Sequence, residues 1–227
     1  MARIFFQSIF PAIGEENELT NEFKSKPIVV ILGNPPYNRN SKNNNKNILD
    51  FLNGYKKINN ESIDKKSINA LSDDYIKFIR FYEFNIENSN EGLLEIITNN
   101  VYLDNITFRG MRSYLLSTFY EIYIINLHGN LRKKYTTDDG GIDENVFDIQ
   151  IEVSIGIFIK YKDEAKKNKL ANIFYKSIKG KREEKYKFLS KNTIFTANFK
   201  KLGCKNLIIF LLKKIDQVRI FTIKEFL

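Results

Sequence analysis

The chain has 227 residues, of which 43% are hydrophobic, 14% aromatic and 28% charged. That length and mixture are enough for a buried core, and they exclude a stapled miniprotein, a disordered linker and a collagen-like repeat. Lys and Arg outnumber Asp and Glu by 36 to 27, a formal net charge of +9; this favours a polyanionic partner such as nucleic acid, although Lys- and Asn-rich composition alone gives the same sum.

Residues 27–33, PIVVILG, form a short aliphatic run bounded by Pro27 and Gly33, the pattern of a strand buried on both faces. Asn34-Pro35-Pro36-Tyr37 follows directly, and residues 38–60, rich in Asn and Lys, read as a surface loop. Ser72 or Asp73 caps a predicted helix in which Tyr75, Phe78, Ile79 and Tyr82 recur at helical spacing. Gly92 opens a second strand that ends on Asn99 and Asn100. Residues 107–119 read as a helix with Met111, Tyr114, Leu115 and Thr118 on one side and Arg109 and Arg112 left for solvent or a ligand. A third strand over 120–127 closes on His128-Gly129-Asn130, and a polar stretch over 132–145 precedes a long strand or tight hairpin over 146–160.

Strand, helix, strand, helix, strand in that order gives an α/β layer with a mostly parallel sheet and its last strand antiparallel at the edge. Beyond Tyr161 the chain turns Lys-rich and its apolar period becomes irregular, which places a boundary between residues 1–162 and 163–227. The final residues, 206–227, have helix-like apolar spacing without a capping signal.

The chemistry concentrates in Asn34-Pro35-Pro36-Tyr37. Each proline restricts the residue before it to extended geometry, and neither carries an N–H. The turn therefore offers two acceptors, the Asn34 side-chain oxygen and the Pro35 carbonyl, without matching backbone donors. Two converging acceptors suit an NH₂ group, and the exocyclic amino group of a nucleobase is a poor nucleophile because its lone pair is delocalised into the ring. Accepting both hydrogens draws the nitrogen toward tetrahedral geometry and frees the lone pair to attack an electrophilic methyl. Tyr37 adds a flat face on which an extruded base can stack. In open α/β sheets ligands sit beyond the carboxyl ends of strands, where this tetrapeptide falls. The bland reading is a Pro-rich turn that ends a strand, with Tyr37 as ordinary core.

Gly33-Asn34-Pro35-Pro36-Tyr37 resembles motif IV of the S-adenosylmethionine-dependent DNA amino-methyltransferases, especially the gamma-class adenine-N6 enzymes. Further segments, in order, are similar to the methyltransferase part of type ISP restriction-modification enzymes: residues 97–103, Phe108-Arg109-Gly110-Met111-Arg112, Leu127-His128-Gly129-Asn130-Leu131-Arg132-Lys133 and Asn145-Val146-Phe147-Asp148-Ile149-Gln150. The resemblance implies part of a Rossmann-like methyltransferase fold in residues 1–162, followed by the start of a target-recognition region in 163–227. It places amino-group contacts on Asn34 and Pro35, which also take a partial share of the cofactor site, within a catalytic tetrapeptide that includes Pro36. It places base stacking on Tyr37 and packing against the base on Phe147. It implies S-adenosylmethionine as cofactor, double-stranded DNA as substrate and an upstream nuclease-helicase-methyltransferase portion. Two departures accompany it. Glu152 stands where the family usually has Gly, and no G-x-G occurs anywhere in the sequence, so the Gly-rich cofactor motif is missing. The expectation is a chain that begins inside a catalytic domain and is inactive alone. Two alternatives remain beside it: a noncatalytic DNA-binding fragment, and an NPPY-type methyltransferase acting on protein or RNA.

Weaker signals surround this core. Arg39, Lys42, Lys46, Arg109 and Arg112 are candidate DNA contacts, as is the basic and aromatic stretch over 176–187, though a solvated surface reads the same way. One Cys and one His exclude an internal disulfide and a multi-His metal site, and His128 reads as structural. Asp73-Asp74 suits a helix start and Asp138-Asp139 a loop, so no metal is expected. No apolar run is long enough to span a bilayer and no signal cleavage site stands out, which predicts a cytoplasmic protein.

Overall fold

The computed structural model describes residues 30–37, 41–42, 45–58, 61–63, 69–89, 91–130, 140–163 and 169–203. Its strands are β1 (Val30–Gly33), β2 (Lys57–Ile58), β3 (Glu61–Ser62), β4 (Gly92–Asn99), β5 (Glu121–His128), β6 (Val153–Lys160), β7 (Asn172–Ser177) and β8 (Lys200–Leu202). Its helices are α1 (Lys46–Phe51), α2 (Asp74–Glu87), the single turn α3 (Val101–Asp104), α4 (Arg109–Thr118) and α5 (Arg182–Lys191). All strands but the β2–β3 pair join one six-stranded sheet in the order β1-β4-β6-β5-β7-β8. Strands β1, β4, β5 and β7 run one way, and β6 and β8 run the other.

The period of two along each strand sorts side chains onto two faces. Leu94 and Ile96 of β4, Ile122 and Ile124 of β5 and Phe158 of β6 meet Tyr75, Ile76 and Ile79 of α2 and Met111 and Leu115 of α4 in the main core. Their alternates, Ile97, Ile125, Leu127, Val153 and Ile155, form a second cluster on the opposite face, where Leu189 of α5 packs. α2 begins beside Asp73, as expected from its cap position, and its apolar stripe explains its existence better than propensity does.

The mostly parallel α/β sheet is as expected, and several details differ. β1 is the sheet's outer strand among the described residues and pairs only with β4; Val30 is 62% and Leu32 70% exposed, not buried on both faces. The strand expected over 146–160 begins at Val153. It lies inside the sheet between β4 and β5 because it has apolar residues on both faces, Phe158 on one and Val153 on the other. The antiparallel edge falls instead to β8, whose short Lys-bearing sequence suits an edge. Across 162/163 the sheet continues, since β7 pairs in parallel with β5.

The supposed surface loop over 38–60 contributes to the core. α1 and the 3-10 turn after it bury Ile48, Leu52 and Tyr55 to 1%, 1% and 0% exposure. Tyr55 donates to Glu83 Oε2 at 2.7 Å, and Arg80 reaches Glu83, Glu87, the Phe51 carbonyl and the Tyr114 hydroxyl. Residues 206–227, Cys204 and Asp138-Asp139 lie outside the described residues.

Candidate functional site

The tetrapeptide sits at the carboxyl tip of β1. Asn34 and Pro36 are exposed, Pro35 is buried and Tyr37 is half-buried. The Tyr37 ring meets Tyr75 edge-on, with centroids 6.3 Å apart and planes at 87°. Its hydroxyl donates to the Ile97 carbonyl at 3.3 Å and lies 3.5 Å from Asn34 Oδ1, the limit of a hydrogen bond. Burial pushes the phenol up to about 12, so it stays neutral at any working pH and keeps its proton for that bond. The ring is thus held from both ends, by its hydroxyl on β4 and by packing at its edge. This leaves the Asn34 amide facing solvent beside a fixed aromatic ring.

Phe147 comes from a distant part of the sequence and reaches the same apolar cluster. Tyr37 and Phe147 both pack against the cluster of Ile125, Leu127, Val146 and Val153. The loop that carries Phe147 is shaped by Asn145, whose side chain donates to the carbonyls of Gly129 at 2.9 Å and Ile151 at 2.7 Å and accepts from the Phe147 N–H at 2.9 Å. These bonds bend the chain before Val153, which is why the strand starts late. Gly129 has φ +83°, and a Cβ there would stand 2.5 Å from the Asn145 Cα. Gly129→Ala is therefore expected to destabilise the protein by about 1–3 kcal/mol in urea unfolding, from backbone strain and overpacking together. A variant as stable as the parent would show that the Asn145 loop moves away freely.

The ends of β4 and β5 carry a buried amide network. Asn100 Nδ2 donates to Glu152 Oε2 at 2.7 Å and to Asn126 Oδ1 at 3.0 Å, and Asn130 donates to Glu152 Oε1 at 3.2 Å. Asn126 in turn donates to the Tyr175 hydroxyl. Glu152, the residue that departs from the family pattern, also accepts the Asn100 N–H with its carbonyl at 3.1 Å. Its carboxylate is thereby partnered by amides. His128 bonds Ser177 through Nε2 at 2.7 Å, and burial lowers its pKa, which favours the neutral imidazole.

Of the candidate DNA contacts, Arg39 lies outside the described residues, Lys42 and Lys46 are exposed, and Arg109 is partly exposed and donates to the Ile106 carbonyl. Arg112 is corrected: it is 8% exposed and donates to the carbonyls of Tyr102 and Asn105, so it ties α4 to the turn before it. Lys185, inside the basic stretch, is likewise buried, with no exposed surface. Sequence reasoning missed its buried pairing with Asp143, although Lys185 and Leu189 share one helix face. A groove of about 820 Å³ opens between the Phe147 loop and the start of α5, lined among others by Asn145, Phe147, Gln150, Lys181 and Arg182; neither Asn34 nor Tyr37 borders it. Among the described residues no His, Cys, Asp and Glu side chains gather as a metal site, and no helix is long and apolar enough to cross a membrane.

Residues 7–132 match the family described as Eco57I restriction-modification methylase. No curated protein matches the chain. Among solved structures, the ATP-dependent type ISP restriction-modification enzyme LlaBIII bound to DNA is 29% identical, with a TM-score of 0.67 over 86% of this chain and 14% of that one. The DrdV–DNA complex is 22% identical, with a TM-score of 0.66 over 86% of this chain and 19% of that one. A nuclease-deletion mutant of the type ISP enzyme LlaGI with a DNA substrate mimic is 21% identical, with a TM-score of 0.66 over 86% of this chain and 20% of that one. The chain thus spans a fifth or less of the length of these enzymes, and its sheet has their Rossmann-like methyltransferase fold.

Proposed function

The chain belongs to the Eco57I restriction-modification methylase family, and on that premise we propose that it supplies the base-binding half of a gamma-class DNA (adenine-N6) methyltransferase. The methyl donor in this reading is S-adenosylmethionine, whose sulfonium supplies an electrophilic methyl group. The described residues do not complete a seat for that donor: β1 is an outer strand with Val30 and Leu32 exposed, and no G-x-G occurs in the sequence. What this chain's own residues supply lies on the acceptor side.

There the adenine leaves the duplex and enters beside the tip of β1. Asn34 Oδ1 and the Pro35 carbonyl accept the two N–H bonds of its amino group, drawing the nitrogen toward tetrahedral geometry. Tyr37 and Phe147 hold the ring. The single observation that carries this reading is the convergence of Tyr37 and Phe147 on one apolar cluster beside the exposed Asn34. Residues from 163 onward, which add β7 and β8 to the same sheet, open the target-recognition region, and Lys42, Lys46 and Arg109 neutralise backbone phosphates.

The test is methyl transfer from labelled S-adenosylmethionine to DNA, RNA or protein. It is run with the chain alone and with the cofactor-binding portion of a type ISP enzyme added. Label recovered as N6-methyladenine in DNA, and only in the combined sample, is expected. Label on cytosine overturns the choice of base, and label only in RNA or protein overturns DNA as substrate.

A further inference from the structure

The base pocket proposed above has one wall, Phe147, on a loop that lies outside any helix or strand. What fixes that loop is a buried ion pair. Lys185 and Asp143 side chains are both 0% exposed, and Lys185 Nζ lies 2.7 Å from Asp143 Oδ1. The ammonium has three protons and three acceptors: Asp143 Oδ1, the Leu127 carbonyl at 2.7 Å and the Glu144 carbonyl at 2.5 Å. The carboxylate is equally satisfied. Asp143 Oδ2 accepts the Gly129 N–H at 2.8 Å, and Oδ1 also accepts the Gly180 N–H at 3.0 Å.

These bonds join three separate segments, the end of β5, the loop before Phe147 and the turn that opens α5. Further contacts from α5 follow the same loop toward Phe147. Arg182 Nε donates to the Asn145 carbonyl at 2.8 Å, Arg182 Nη2 pairs with Asp148 at 2.7 Å, and the Tyr186 hydroxyl donates to the Val146 carbonyl at 2.5 Å. One helix therefore grips residues 144, 145, 146 and 148 around Phe147.

A buried pair of this kind is a poor source of net stability, because desolvation consumes most of its attraction; what it supplies is a single arrangement, since leaving either charge alone in the interior is severely unfavourable. α5 belongs to the segment read as the opening of the target-recognition region. A shift of α5 when that region engages DNA must either carry the Phe147 loop with it or break the buried pair.

We propose that Lys185 and Asp143 are positioning residues, a latch through which the first helix of the recognition region sets the placement of Phe147 against an extruded base. The assignments of Phe147 to the base and of α5 to the recognition region rest on the function proposed above, whereas the bonds that tie the Phe147 loop to α5 do not.

The experiment separates the two. Hydrogen exchange is followed by mass spectrometry in the full chain for the parent, Lys185→Met and Tyr186→Phe. The second variant removes only a hydroxyl from a ring that is 49% exposed, and so keeps the fold safe. Exchange over residues 143–152 is expected to rise about tenfold or more in Lys185→Met and less in Tyr186→Phe, with β4 and α2 unchanged. Equal exchange over 143–152 in all three proteins, or a uniform rise that includes β4, overturns the latch.

Binding to a duplex with 2-aminopurine opposite an abasic site is then compared with binding to a fully paired duplex for Phe147→Ala, Lys185→Met and the double variant. Each single change is expected to weaken only the first duplex, and the double variant to bind no more weakly than Phe147→Ala, because both act through one ring. Additive losses, or a loss in Phe147→Ala alone, overturn the positioning claim. If Phe147→Ala has no effect while exchange over 143–152 rises in Lys185→Met, the latch stands and the role of Phe147 at the base falls.

Discussion

Replacing Asn34 with alanine is expected to lower methyl transfer to DNA by about 10²- to 10³-fold in the chain combined with a cofactor-binding portion, the range seen when one preorganised polar group is removed from a reacting centre. DNA affinity should stay nearly unchanged. Asn34 is exposed at the tip of β1, and among the described residues its side chain meets only the marginal 3.5 Å approach of the Tyr37 hydroxyl. Its loss leaves no cavity, and Tyr37 keeps its stronger bond to the Ile97 carbonyl. The effect should therefore fall on kcat while the unfolding midpoint holds. Asn34→Asp makes the argument sharper. The carboxylate retains an acceptor at the same position while exchanging the amide donor for a second, charged acceptor oxygen, so it should keep far more activity than alanine. If Asp and Ala variants are equally poor, acceptance of the amino hydrogens is not what Asn34 does; if Ala is fully active, the tetrapeptide is only a turn.

How much of this was legible in the sequence depends on what each element needs to be recognised. α2 and β4 carry strong periodic patterns, and both lie close to their expected positions. The tetrapeptide was legible because two prolines impose local geometry that tertiary contacts do not override. Phe147, by contrast, entered only through a resemblance; nothing in its own surroundings announces that a loop will bring it onto the cluster shared with Tyr37. The place of β6 was misread for a related reason. Chain order suggests which strands exist, but pairing on both sides is set by whether both faces are apolar, and β6 alternates Val153 and Phe158 between two buried faces. Charge hid two further features. The Asn and Lys content around Ile48, Leu52 and Tyr55 masks their helical spacing, and Lys185 reads as solvated surface in the sequence because its carboxylate partner, Asp143, is 42 residues away and meets it only in the fold.

Arg80→Met is expected to destabilise the protein by about 3–5 kcal/mol at pH 8 and by clearly less at pH 5. The Arg80 side chain is 5% exposed and the Glu83 side chain 0%. The guanidinium lies 4.5 Å from the Tyr114 ring centroid and shares its donors among Glu83, Glu87, the Phe51 carbonyl and the Tyr114 hydroxyl. Methionine fills much of the same space and offers none of these bonds, so the Glu83 charge is left uncompensated. Burial pushes the Glu83 carboxyl up to about 7, with the Arg80 charge and the Tyr55 and Thr118 hydroxyls offsetting only part of it.

The sign follows from proton counting. Between roughly pH 4.5 and 7 the folded state holds a proton on Glu83 that the unfolded chain has released. Stability therefore falls as pH rises through that window and levels off above it. Without Arg80 the carboxyl rises further, so the decline continues into the alkaline range, and this is the source of the larger loss at pH 8. Glu83→Gln removes the titrating group and should flatten the curve in the parent and in Arg80→Met alike. Urea midpoints across pH 5 to 8 test it. An Arg80→Met loss that is the same at both ends of the range would mean that Glu83 does not change its charge there, and that Arg80 acts through the packing of its stem and its contacts with Tyr114 and Phe51.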